Sequence, residues 1–488
     1  MSRRPLRLLA TLLTLTIVAA CAQEADEPLA GGAGAGGGAA GPDDGSGGGT
    51  LEWTSCGGDA ECAELEVPVD YANPDGDTLT ISIARVPAEG DRIGALFVNP
   101  GGPGATAADF AVSLAWALPS EVTEHFDIVG VDPRGLGASE IDCGGDMTEL
   151  YGLDPTIDSP EDAEELLDVS QDYVDGCEAD AGELLPYLGT EEVARDIDAV
   201  REAMGDEQLN YLGFSYGTAI GQVLADLYPD RVRAMVLDGV LELGPDGVEI
   251  ATQQAAGFET ALERFADDCR DDPSCPIADD PIGAIEELEA MVEEEPIPAE
   301  PRDLGPGELS IGLAMPLYSE LLWPELAEAV ADALDGDGSG MVALADQYIG
   351  VASFDVYFAV NCIDFDWPED PQELLDAAAE AAESAPHFGE AIVNDYVRCP
   401  LWPVEEEPLE PVTAPGAPPI LVVSTTGDPA TPYEAGVRTA ERLESGVLLT
   451  YDGDGHTVVA NGVACVDEIV ADYLVDLEVP EDGTTCTD

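Results

Sequence analysis

A chain of 488 residues, 45% of them hydrophobic, can bury a large core and still carry an insertion or a second domain. Its 102 acidic residues outweigh 16 basic ones, every one of them an Arg, for a formal net charge of -86; nucleic acid is excluded as a partner, because phosphate binding needs clustered Lys and Arg. Self-repulsion of this size is largely screened only near molar salt, where the Debye length is about 3 Å, so the composition reads as halophilic, an adaptation to a saline medium.

Residues 1–21, MSRRPLRLLATLLTLTIVAAC, run from three Arg through a short apolar stretch to small residues and Cys21. The apolar run is too short to span a bilayer and reads as a secretory signal. Its end, VAAC, resembles the lipobox of bacterial lipoproteins, which implies cleavage before Cys21, lipidation of that Cys and a place on the outer face of the cell membrane. Residues 22–50 are Gly-rich and read as a flexible tether. With Cys21 assigned to the anchor, ten of the eleven Cys remain. Neighbour pairing would join Cys56 to Cys62, Cys143 to Cys177, Cys269 to Cys275, Cys362 to Cys399 and Cys465 to Cys486, as suits an oxidising exterior, although ten cysteines allow many other connectivities. No C-x-x-C occurs and the chain has 3 His, so no metal site is expected.

From residue 51 the pattern becomes that of a folded domain. LEVPVDYANPDGDTLTISIARVPA (65–88) reads as a hairpin around PDGD. GALFVNP (94–100), FDIVGVD (126–132), LNYLGF (209–214) and VRAMVLD (232–238) read as buried strands. In TEEVARDIDAVREAMG (190–205), Val193, Ile197, Val200 and Met204 share one helical face, with Thr190 placed at the N-cap and Gly205 at the end. The β-α-β alternation predicts the α/β class, a mostly parallel sheet flanked by helices, over 51–240. Over 241–410, Glu- and Ala-rich helical stretches with Pro-rich breaks predict a helical lid or cap insertion. The alternation resumes over 411–488 with a strand in PPILVVSTTGD (418–428), a helix over 433–444, GVLLTYDGDGH (446–456) and a terminal helix near 465–475.

GFSYG (213–217) matches G-x-S-x-G, which places Ser215 on a sharp strand-to-helix turn where its hydroxyl can act as a nucleophile. Such a serine needs a base, and the base needs an acid to orient it. His125 precedes a strand, at the wrong edge of a parallel sheet, and His387 lies in the insertion. His456 follows a late strand and is assigned as base. Asp428, at the end of the strand before it, is assigned as the acid, with Asp238 after VRAMVL as its rival. Two N–H donors would hold the oxyanion. One is that of Tyr216; the other belongs to Gly101 or Gly102 in NPGGPG (99–104), since proline has none to give.

NPGGPG, VDPRG, DIDAVREAMG, NYLGFSYGTAIG, VLDGV, AVNCIDF, PPILVVSTTGDPATP and GDGHT together resemble the secreted actinobacterial tripeptidyl aminopeptidases, relatives of the proline iminopeptidases with the α/β-hydrolase fold. The resemblance spans roughly 51–488. It implies a serine exopeptidase that releases short peptides from free N-termini, with Ser215, Asp428 and His456 as triad and Gly102 with Tyr216 as oxyanion hole. It also implies Asp364, in NCIDFDWP, as partner of the substrate ammonium. The expected partners are peptides with a free N-terminus, with no cofactor and a monomeric state. A carboxylesterase or lipase on the same triad is the alternative, and a solute-binding lipoprotein would share the signal and tether but gives no reason for the Ser, Asp, His order.

Overall fold

A computed structural model describes residues 51–487 apart from 146 and 158; the expected signal, the expected lipidation at Cys21 and the expected tether fall on residues outside those described. Ten strands form one sheet: β1 (Thr54–Gly57), β2 (Ala60–Pro68), β3 (Thr78–Val86), β4 (Gly94–Asn99), β5 (Phe126–Val131), β6 (Leu209–Phe214), β7 (Val232–Asp238), β8 (Ile420–Gly427), β9 (Gly446–Asp454) and β10 (Thr484–Cys486). Their order is β1-β2-β3-β5-β4-β6-β7-β8-β9-β10. The pairs up to β3–β5 are antiparallel and all those beyond are parallel. The sheet is mixed and mostly parallel, with helices on both faces.

The central strands are apolar for a physical reason. β4, β5 and β6 are buried at every position, as a sheet covered on both faces requires. Alternate residues serve different layers: Phe97, Val129, Tyr211 and Leu237 join one core, while Leu96, Val98, Ile128, Leu212 and Val236 join the other. Register aligns the carboxyl ends of these strands, since Asn99 pairs with Gly213, Phe214 with Asp238, and Asp238 with Val423. The loops after β4, β6, β7, β8 and β9 therefore emerge along one edge.

Between β7 and β8 the chain is helical, from Gly247–Asp271 to Gly389–Asn394. Its first part has a core of its own around Phe258, Leu262, Phe265, Leu326 and Met341. Its second part does not stand apart: Phe358, Val360, Leu374 and Tyr396 pack in the same core as Tyr173 and the sheet. The five disulfides are those of neighbour pairing, Cys56–Cys62, Cys143–Cys177, Cys269–Cys275, Cys362–Cys399 and Cys465–Cys486. β1 and β10 were not expected from sequence; each is short, and a disulfide ties each to a neighbouring element.

One cap differs from expectation. Gly189, not Thr190, occupies the N-cap of the helix Thr190–Met204, while Gly205 closes it in the left-handed conformation. Thr190 is one residue inside because its hydroxyl is taken by a tertiary contact described below. Beside this helix lies Arg134, fully enclosed, whose guanidinium reaches Asp196 (2.7 and 2.8 Å) and the carbonyls of Pro68, Val69 and Tyr187. It fastens VDPRG to the hairpin and the helix at once. Every Arg from Arg85 onward except Arg233 forms an ion pair, so among the described residues most of the surplus carboxylates have no Arg to meet.

Candidate active site

Ser215 leaves β6 at φ 53, a left-handed conformation that is costly for a non-glycine residue. The turn is held by Ser215 N–H donating to the Asp238 carbonyl (2.9 Å) and Thr218 N–H donating to the Ser215 carbonyl (2.8 Å), and the helix Gly217–Leu227 starts at once. The flanking glycines follow from this crowding. A Cβ on Gly213 would lie 2.4 Å from the Gly217 carbonyl oxygen, and one on Gly217 would lie 2.7 Å from that of Asn99. NPGGPG abuts the same turn, for a Cβ on Gly101 would stand 2.8 Å from Ser215 Cβ and 3.1 Å from Tyr216 N. The Gly101 N–H is donated to Asn99 Oδ1 at 2.9 Å. Of the two glycines left open by the sequence, Gly102 is the one whose N–H is not committed to that bond.

His456 sits in the loop after β9. Its Nδ1 lies 2.9 and 3.0 Å from the two carboxylate oxygens of Asp428, which assigns the proton to Nδ1 and leaves Nε2 as the basic nitrogen. Asp428, in the loop after β8, is in turn held by the N–H groups of Ala430 (3.0 Å) and Thr431 (2.9 Å) and by the Thr431 hydroxyl (3.0 Å). The His456 main chain donates to the carbonyl of Tyr318 in the insertion (2.9 Å), whose ring meets the imidazole edge-on at 5.5 Å. The space over Gly239, next to the residue that binds Ser215 N–H, is closed by His456 Cε1 and Thr431 Oγ1, each 3.1 Å from where a Cβ would be. Burial alone would lower the His456 pKa, but the charge and hydrogen bond of Asp428, with the charge of Asp238 behind them, raise it above its ordinary value.

The other histidines stay away from this edge: His125 is half-buried and bonds the Glu121 carbonyl, while His387 bonds Glu289 within the insertion. Asp238 is close to the loop yet does not orient the imidazole. Its Oδ2 accepts from the N–H groups of Val458 and Val459, both at 2.8 Å, so it shapes the loop that carries His456.

Asp364 departs from expectation. It is buried at the end of the helix Phe354–Asp364 and accepts from Thr190 N–H (3.1 Å) and from the Thr190 hydroxyl (2.5 Å). Because that hydroxyl donates to Asp364, its oxygen accepts from the Tyr216 hydroxyl at 2.6 Å. Burial pushes the Asp364 pKa up to about 7 against the pull of the Thr190 bonds. The carboxylate is thus spent on fixing Thr190 and, through it, Tyr216, the residue that follows Ser215; it is not among the groups lining the cavity beneath the insertion. That cavity is bounded by Phe258, Tyr348, Tyr357, Asn394 and Asp395 among others. Phe258 packs on Tyr318 at 5.4 Å, so two aromatic rings, Phe258 and Tyr318, stand between the cavity and His456. Thr190, Tyr318 and Thr431 were missed by sequence reasoning. Thr431, three residues after Asp428 in a Pro-bounded turn, carried a local signal, whereas Tyr318 and Thr190 carried none.

Residues 385–486 match the family model described as TAP-like protein. The chain is 38% identical to serine protease Hip1 of Mycobacterium tuberculosis, over 90% of this chain and 91% of that one. The chain belongs to the TAP-like family of α/β-hydrolases. Other members that it resembles are carboxylesterase B of Mycobacterium tuberculosis, 36% identical over 88% of this chain and 86% of that one, and tripeptidyl aminopeptidase of Streptomyces lividans, 30% identical over 89% and 86%. A TAP-like chain with peptidases among such relatives is a serine hydrolase. Among the described residues, no cluster of His, Cys, Asp and Glu is arranged to hold a metal ion, and no helix is long and apolar enough to cross a membrane.

Proposed function

We propose that this serine hydrolase is an exopeptidase held outside the cell by a lipid on Cys21, and that it releases di- or tripeptides from free N-termini. The observation that carries the reading is the Asp428–His456 pair beside the strained turn of Ser215. In this reading Ser215 Oγ attacks the scissile carbonyl as its proton passes to His456 Nε2. Asp428 keeps the other imidazole proton on Nδ1 and stabilises the imidazolium. The N–H groups of Gly102 and Tyr216 receive the developing oxyanion. His456 then protonates the leaving amine, and water, deprotonated by the same imidazole, releases the peptide from Ser215. The name of the Streptomyces relative favours the release of tripeptides.

A carboxylesterase reading draws on the relative of that name, and the same groups would perform it. Chromophore release by the mature domain in molar salt separates the two. The substrates are a tripeptide anilide with a free N-terminus, its N-acetylated form and a short-chain aryl ester, each also with Ser215→Ala. Cleavage of the free peptide that is lost in the variant supports the exopeptidase; hydrolysis of the ester alone makes the chain an esterase. Activity that survives Ser215→Ala removes the serine from the chemistry.

A further inference from the structure

The cavity beneath the insertion holds hydrogen-bond acceptors that its own walls leave unmatched. Asn394 is 2% exposed and lines it. Its Nδ2 donates to the Pro155 carbonyl at 2.9 Å, which fixes the orientation of the amide, since a carbonyl cannot accept from an oxygen. The acceptor Oδ1 is then buried without a hydrogen-bond partner among the described residues, a state that costs free energy unless a ligand or water relieves it. The next residue, Asp395, also lines the cavity and keeps 17% of its side-chain surface uncovered. Its carboxylate accepts from the Tyr151 hydroxyl (3.1 Å) and from Arg398 (3.1 Å). A carboxylate offers about four lone-pair sites, so capacity remains.

Charge points the same way. The charged side chains that line the cavity are Asp154, Asp395 and Arg398, one net negative charge. Arg398 is engaged elsewhere as well: it donates to the Asp395 carbonyl (2.5 Å) and its guanidinium lies 4.5 Å over the Phe358 ring. Arg398 Nε is itself a buried donor without a partner among the described residues; the net charge of the lining is nonetheless negative, and a primary ammonium, with three N–H donors on one atom, suits the oxygens of Asn394 and Asp395. Phe258, which lines the cavity, packs on Tyr318, and Tyr318 meets the His456 ring edge-on.

We infer that Asn394 and Asp395 form the subsite that receives the α-ammonium of the peptide, the role that the sequence assigned to Asp364. This rests on the exopeptidase reading above and names its specificity residues. A buried ammonium needs a carboxylate partner, and a bond between ionised groups is stronger than a neutral one.

The test is the ratio of kcat/KM for a tripeptide anilide with a free N-terminus to that for its N-acetylated form, measured in molar salt. The ratio is internally controlled, since loss of folded enzyme lowers both values equally. Wild type should favour the free peptide, and Asp395→Asn should reduce the ratio about a hundredfold through the free peptide, with the acetylated one changed less than threefold. A wild-type preference that persists in Asp395→Asn overturns the subsite and leaves the exopeptidase reading standing. Equal cleavage of both peptides by wild type overturns the reading and the subsite with it. If Asp395→Asn does not fold, Asn394→Ala decides: a fall in the ratio of about fivefold or more supports the subsite, and an unchanged ratio overturns it.

Discussion

Two aspartates end neighbouring strands within reach of the His456 loop, and substituting each by Asn separates their roles. In Asp428→Asn the amide would present either a donor to Nδ1, which then must carry no proton, or a weaker neutral acceptor. The imidazole loses both its tautomer and its counter-charge. Loss of the wrong-tautomer kind costs on the order of ten-thousandfold in kcat. Asp238 is different. Burial pushes its pKa up to about 7, against the pull of the Val459 and Val458 N–H bonds, so near neutral pH about half of it is already uncharged. An Asn keeps an acceptor for the two N–H groups at 2.8 Å and gives up the charge assistance, about 1 kcal/mol per bond, offset in part by no longer burying an anion. Asp238→Asn should therefore lose no more than about tenfold in kcat, with a modest change in stability. Initial rates on the anilide and the aryl ester, normalised by active-site titration, measure both variants. If Asp238→Asn is the more damaged, or Asp428→Asn retains a tenth of wild-type kcat, the assignment of the acid is wrong.

Thr190→Val removes the hydroxyl shared by Asp364 and Tyr216; kcat should fall about tenfold, because the N–H of Tyr216 loses its positioning, while Thr190→Ser should restore it. An unaltered kcat in the valine variant would leave the contact merely structural. Arg134→Met strands the buried Asp196 and should cost about 3–5 kcal/mol in urea unfolding, with Arg134→Met/Asp196→Leu recovering part of it. Raising NaCl from 0.1 to 2 M should raise the melting temperature by several degrees as repulsion is screened; no change would speak against a saline habitat. Burial raises Asp238 and Asp364 to about 7 and Asp132 to about 6. A carboxyl raised in the folded state binds more protons folded than unfolded between its two pKa values, so stability falls as pH rises from about 4 to 7. His456, raised for its own reason, contributes in the same direction, its stabilisation being lost as pH climbs through its folded pKa. Melting scans should give a higher midpoint at pH 5.5 than at pH 8, and the reverse order would contradict these shifts.

Sequence by itself determined what local chemistry controls. Unbroken apolar runs such as GALFVN and LNYLGF are buried strands because no alternation is possible between two covered faces. GFSYG marks its turn because any larger residue at Gly213 or Gly217 would strike backbone, and cysteines six to thirty-seven residues apart pair with their neighbours in the chain. Ser215, Asp428 and His456 follow β6, β8 and β9, whose parallel alignment puts all three at one edge of the sheet, as the reading of the sequence required for the proposed triad. Tertiary structure alone decided between carboxylates. Asp364 and Asp395 are both acids on helical segments of the insertion, and their own neighbours in the chain do not tell them apart. What separates them is that Thr190, 174 residues from Asp364, reaches the first, while Tyr151, 244 residues from Asp395, leaves the second partly free at a cavity wall. Contacts across such separations are set by how whole layers pack, because hydrogen-bond supply at a buried group depends on every element that meets there and not on its neighbours in the chain.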